Sequence, residues 1–596
     1  MIINTLYQYY EKLRAEYEDL VPKPGYSQER ISLALILSPN GELLKTIDLR
    51  TAEGKRLLPK IIVVPERQKR SRNISANFLW DNATYVLGLD TKGNPEHTQQ
   101  CFKAFVKLHT TLLEGNQDMG AKAVLAFLQN WDPTEAAQHP LVEPFYEDFE
   151  AGVNLTFRLD EDRGYIHQRP TLQKVWEHHH KSKVSDYIGQ CLVTGKTAPV
   201  ARLHPLIKGV VGTKGSGAAM VSFNLDAFTS YGKSQNYNAP IKEEVAFGYT
   251  TALNYLLKSP KHRLQIGNTT TIFWAERPDG QEESLLAELL DPSIGGNSRA
   301  SEYRRDPATR QQVHDLLKRV RRGQPIQPAM SEVKEDVRFY ILGLSPNASR
   351  LSVRFWHTDT FGQLVGKIGQ HYRDSYLIPM WPKDPPFIAP WQILRETAPQ
   401  KSSSDIPPLL GGALMRSILQ GFNYPLSLYS ILLSRIRADG EVNYVRVAAL
   451  KACLLRQARF RDDKKREVMI TVSLNEDSTN TPYRLGRLFA LLEKAQQDAN
   501  PGIGATIRDR YFGAASANPG RVFPILLRLA QHHIAKSDYK IALDKSIQEV
   551  VSRVTGFPAN LNLEEQGLFV LGYYHQRKAL YQKKSNDKEV LDDDSH

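Results

Sequence analysis

The stretch Ile378–Trp391, IPMWPKDPPFIAPW, carries five prolines. Proline fixes φ and lacks an amide donor, so such a run continues neither a helix nor a central strand and reads as a linker or boundary. Beyond it strand signals nearly vanish. Leu485, Leu488, Phe489 and Leu492 recur at i, i+3, i+4 and i+7. Phe523, Leu526, Leu527, Ala530 and Ile534 keep that period, as do Leu543, Ile547, Val550, Val551 and Val554. That is the pattern of helices burying one face. Before the prolines the signals are mixed. Ile31–Ser38 (ISLALILS) and Glu42–Leu49 flank Pro39-Asn40-Gly41, a hairpin signal, and Lys60–Val64 reads as a further strand. Phe339–Leu344 and Leu351–Trp356, joined by Ser345-Pro346-Asn347, read as a second hairpin, and Gln99–Leu113 as an amphipathic helix. The expected fold is α+β: a mixed α/β N-terminal region with β-hairpins over 1–377, in one subdomain or two, a proline-rich linker at 378–395, and an all-α C-terminal helical bundle over 396–596.

Composition bounds the function. A chain of 596 residues exceeds what one hydrophobic core supports, so several domains are expected. The 77 Lys+Arg against 65 Asp+Glu give a formal charge of +12, which draws phosphate backbones or anionic surfaces. Three widely spaced cysteines, Cys101, Cys191 and Cys453, offer no Cys-x-x-Cys pair and fit a reducing, cytoplasmic setting. The N-terminal MIINTLYQYYEKL lacks the marks of a signal peptide, and no long apolar run suggests a membrane span. Nucleic acid is the better match for the positive charge, and no membrane partner is expected.

Motifs for catalysis fall short. A phosphate-binding loop ending at Gly195-Lys196-Thr197 needs glycine where Gln190 stands, and one ending at Gly232-Lys233-Ser234 needs it at Ala227. Cys191 has no second cysteine nearby to share a zinc ion, and His178-His179-His180 point in different directions on a helix. No cofactor or metal is expected. Binding chemistry is better represented. The segment ERQKRSRN supplies Arg67, Lys69, Arg70, Arg72 and Asn73, donors suited to phosphates and base edges. Residues 209–238 hold five glycines, two lysines and one acid, with Lys214, Ser216, Asn224, Lys233, Gln235 and Asn236 as candidate DNA contacts. Arg484, Arg487, Lys494, Arg508, Arg510, Arg521, Arg528, Lys536 and Lys540 lie beside the C-terminal apolar stripes and could line a groove for single-stranded DNA. A solvated surface accounts for each group equally well.

Four segments carry a family resemblance: CLVTGKTAPVARLHPLIKGVVG (191–212), SFNLDAFTSYGKSQNYNAPIKEEVAFGYTTALNYLL (222–257), YRLGRLFALLEKAQ (483–496) and EEQGLFVLGYYHQRKAL (564–580). Together they resemble the large subunit of the type I-C CRISPR surveillance complex, Cascade, from residue 1 to about 582. The resemblance implies a non-catalytic subunit of a guide-RNA complex, with backbone and guide-processing subunits as partners. Such a subunit binds the protospacer-adjacent motif of target duplex DNA, assists strand separation and R-loop stabilisation, and helps recruit a helicase–nuclease, while base pairing with the guide selects the target. On this reading Arg72, Asn73 and Lys214 contact the motif duplex, and Gln235 or Asn236 is the wedge. The family also makes a small subunit from an internal start, for which Met469 in REVMITVSLN is the candidate, giving 469–596. Otherwise Met469 is simply a strand residue. The competing class is a metal-dependent nuclease whose site is not visible in sequence.

Overall fold

The helix Ile2–Glu16 buries Leu6, Tyr9, Tyr10 and Leu13, at i, i+3, i+4 and i+7. After it come β1 (Tyr26–Ile31), β2 (Leu33–Leu37), β3 (Leu43–Asp48), β4 (Thr51–Glu53), β5 (Arg56–Leu58), β6 (Lys60–Pro65) and β7 (Trp80–Asn82); β8 (Asn154–Leu159) arrives only after an intervening set of helices. The computed structural model describes residues 1–17, 21–54, 56–68, 70, 74–181, 187–277, 281–292, 307–324, 333–536 and 540–581. The hairpin read at Pro39-Asn40-Gly41 forms: β2 pairs antiparallel with β3, and Gly41 supplies a φ of +83°. β2 is inside a four-stranded sheet of order β3-β2-β8-β7, and all five of its residues are buried. Burial on both faces explains why its sequence is a continuous apolar run. Its other neighbour, β8, runs parallel, with Leu35 opposite Phe157. The helices Pro95–Leu113 and Met119–Asn130 bring Phe105 and Phe127 into the same core as Phe157. Later in the chain, β9 (Ile188–Gln190) and β10 (Thr197–Pro199) form a short hairpin ahead of the helix Glu243–Lys258.

A second sheet is an antiparallel meander of β11 (Arg263–Ile266), β12 (Thr269–Ala275), β13 (Arg338–Asn347) and β14 (Arg350–Thr360). The last two are the hairpin read at Ser345-Pro346-Asn347, with strands longer than the sequence suggests. From Phe361 onward the described chain is helical. The long helices Thr481–Ala499 and Leu563–Tyr581 meet most closely at glycines. A Cβ at Gly486 would stand 1.9 Å from the Phe569 carbonyl oxygen, and one at Gly572 would stand 2.1 Å from that of Tyr483.

The compact units do not divide at the proline-rich stretch. The chain forms two compact units, Met1–Ile207 with Ala219–Tyr255, and Lys208–Ala218 with the chain from Leu256 on. Residues 378–395 do not separate them. Phe387, Ile388, Ile393 and Leu394 are buried in one core with Phe339 and Ile341 of the second sheet and with the C-terminal helices. Pro390 opens the helix Pro390–Arg395, where a missing amide costs nothing. The prolines set local geometry while the apolar residues between them fill the core.

Candidate nucleic-acid interface

In the first unit, the basic stretch follows β6. Arg67 is 53% exposed, reaches Glu29 at 3.3 Å and lies 5.5 Å above the Trp80 ring. Arg70 is committed to structure. Its Nη1 donates to Asp81 Oδ1 at 3.0 Å, its Nη2 pairs with the other carboxylate oxygen, and its Nε donates to the Ser75 carbonyl at 2.6 Å. The guanidinium also stacks 3.9 Å over Tyr85. Asp81 is buried, so releasing Arg70 to a phosphate would strand a carboxylate in the core. The expected contacts Lys69, Arg72 and Asn73 lie outside the described residues, as does the side chain of Lys540.

The glycine-rich segment is divided between the units. Lys214 and Ser216 are exposed on a turn of the second unit, tied down where the Val211 amide donates to Thr270 Oγ1 at 3.2 Å. Asn224, Lys233, Gln235 and Asn236 belong to the first unit. Here the chain makes a finger. Ser230 and Lys233 bridge across Tyr231 and Gly232, whose φ values are +52° and +68°. Two successive positive φ values mark the tight turn of a two-residue hairpin. Asn238 clamps its base: Oδ1 accepts from the Ser230 amide at 2.8 Å, and Nδ2 donates to the carbonyls of Lys233 at 2.7 Å and Gln235 at 2.9 Å. Gln235, at φ +49°, accepts from Arg202 Nε at 3.0 Å.

The two expected wedge residues therefore differ. Gln235 is half-buried, whereas Asn236 is 1% exposed with neither amide atom hydrogen-bonded. A side chain enclosed in this way presents nothing to a duplex. The exposed group is Tyr231, at 96%, which the sequence reading passed over. Its signal was an aromatic set directly before a turn glycine, in Ser230-Tyr231-Gly232-Lys233. Cys191, in the β9–β10 hairpin, is a buried structural thiol whose sulfur accepts the Lys242 amide at 3.4 Å. Burial pushes that thiol up, but the amides of Lys242, Thr194 and Val193 hold it below its ordinary value.

In the second unit, among the described side chains of the expected C-terminal cations, four are tied to other groups and four are exposed. Arg487 is buried, donating to Gln576 Oε1 at 3.0 Å and to the Glu476 carbonyl at 2.9 Å. Arg484 caps the Arg553 carbonyl, Lys494 pairs with Asp498, and Arg508 leans on Asp509 at 3.4 Å. Arg510, Arg521, Arg528 and Lys536 are exposed and make no ion pair with another described residue. On the helix Pro519–Lys536, Arg521, Ile525, Arg528, His532 and Lys536 fall at i, i+4, i+7, i+11 and i+15, opposite the buried Val522, Phe523, Leu526 and Ala530. This stripe runs for about 22 Å along one face. Among the described residues no three His, Cys, Asp or Glu side chains gather as a metal-binding set, and no helix is long and apolar enough to cross a membrane.

A basic α+β chain with surface arginines that pair with no other described residue is suited to a nucleoprotein assembly, and comparison with known families gives the class: the model described as CRISPR-associated protein (Cas_Csd1) matches residues 6–581. The chain belongs to this family, that of the type I-C Cascade large subunit. No curated protein matches it.

Proposed function

We propose that the chain acts in the cytoplasm as a non-catalytic subunit of Cascade that binds the protospacer-adjacent motif in duplex DNA. It assists strand separation, steadies the displaced strand in the R-loop, and helps recruit a separate helicase–nuclease. The observation that carries this reading is the stripe of Arg521, Arg528 and Lys536. Among the described residues these cations have no carboxylate to give up when they meet a phosphate, so counterion release contributes to binding. The internal product starting at Met469 belongs to the same reading. Met469 ends the helix Lys464–Met469 and is not in a strand, and the described helices from Thr481 to Tyr581 all lie downstream of it.

The test uses the assembled complex with its guide RNA. Removing two charges with Arg521→Gln and Arg528→Gln is expected to weaken binding to the displaced strand. The slope of log K against log salt should flatten by about 0.7 per charge removed. An unchanged slope would remove the helix from the interface. Metal-dependent cleavage of DNA by the purified chain alone would replace this reading with a nuclease.

A further inference from the structure

We infer that Tyr231 is a base-stacking residue, its ring meeting the face of a nucleobase that is unpaired or ends a stack. The inference rests on the reading that this chain engages DNA, and adds a ligand contact that the basic residues do not supply.

Three observations converge. The residue is 96% exposed, and among the described residues no ring or cation packs against its phenol to repay leaving an aromatic in water. Tyr231 holds φ +52°, a left-handed conformation that residues with a Cβ seldom occupy and that persists where the surroundings enforce it. Those surroundings are the Asn238 clamp and the Arg202–Gln235 bond, which fix both sides of the finger. The finger is thus built before any ligand arrives, and the entropic cost of ordering it is not charged to binding. An aromatic face carries no donor code, so it accepts any base, while Lys233 and the exposed Arg202 at its root supply charge for the backbone. Asn238 is the positioning residue: its side chain hydrogen-bonds the finger's backbone.

The experiment uses the purified complex with guide RNA and duplex targets carrying 2-aminopurine at successive positions beside the recognition motif. Opening is followed by fluorescence. With the native chain, one position is expected to be quenched by stacking on the ring. Tyr231→Ala should abolish that quenching and slow opening by about tenfold, the scale of one lost aromatic–base stack. Tyr231→Phe should behave as the native chain, because the ring acts and the hydroxyl does not. Asn238→Ala should fall between, keeping the ring but loosening the finger. A duplex mismatched at that position should restore opening to the alanine variant. Native opening rates and quenching in Tyr231→Ala would overturn the proposal. So would Tyr231→Phe behaving like the alanine variant, or loss of partner subunits from the Tyr231→Ala complex, which would make the ring a protein contact. If the native complex itself fails to bind DNA through this chain, the underlying reading fails first, and that outcome is seen before any variant is compared.

Discussion

A cluster of buried charges lies in the core of the second unit. Asp374 is buried and accepts from Arg456 Nε at 2.8 Å and Arg459 Nη2 at 3.1 Å, while its carbonyl takes the Lys451 ammonium at 3.1 Å. Burial pulls Lys451 down to about 8 from its ordinary 10.5. A lysine depressed in the folded state holds its proton less tightly than in the unfolded chain. Its cost to stability is therefore fully present below pH 8 and is relieved as pH rises toward 10.5. That displacement corresponds to about 3 kcal/mol. Lys451→Met loses one hydrogen bond but escapes the penalty, so at pH 7 it should raise stability by about 1–2 kcal/mol. Urea unfolding at pH 7 and pH 10 checks the sign: the gain should shrink at the higher pH. The same distinction between buried and free charge governed what could be read of the interface. Composition gave an excess of cations, but Arg70 and Arg487 look like Arg521 in sequence. Only the fold reveals that the first two are committed to Asp81 and Gln576.

At the scale of elements, local periodicity was legible and long-range pairing was not. The 3.6-residue repeat gave the C-terminal helices, and Pro39-Asn40-Gly41 gave the β2–β3 turn, because both signals are carried by neighbours in sequence. The parallel partner of β2 lies more than a hundred residues away at Asn154–Leu159, and nothing local announces that pairing. The proline-rich stretch misled for a related reason: proline reports local φ, whereas Phe387 and Ile393 are placed by the core they join. Glycine within the helices carried a message that periodicity does not. Gly486 and Gly572 let two backbones approach until a Cβ on one would overlap a carbonyl of the other. The obstacle is main chain, which cannot rotate aside. Gly486→Ala and Gly572→Ala should each cost about 3 kcal/mol or more. Gly502→Ala, at an open site after the helix, is a useful contrast because only its φ of +81° opposes the substitution. Thermal melts of the three variants give the comparison.

At the scale of the whole molecule, the two units share the chain unevenly. The first unit is left at Ile207 and regained at Ala219, and the second takes Lys208–Ala218 before it takes the rest. In the first unit residues 243–255 of the helix Glu243–Lys258 cover the N-terminal helix, with Phe247 edge-on to Tyr10 at 6.1 Å and Gly248 tight against Tyr7 and Tyr10. A fragment ending at Ile207 should therefore expose the apolar face of Leu6, Tyr9, Tyr10 and Leu13. It is expected to bind a hydrophobic dye and resist protease poorly, whereas in a fragment ending after Lys258 that face should be covered and the N-terminal helix protected. This interleaving has a consequence for biosynthesis. A nascent chain emerging from the ribosome cannot finish its first folding unit and then begin the second. It must hold the short Lys208–Ala218 segment in reserve until the sheet that receives it has been translated. Folding of the two halves is thus coupled in time, and a pause in synthesis between residues 207 and 255 would leave both unfinished.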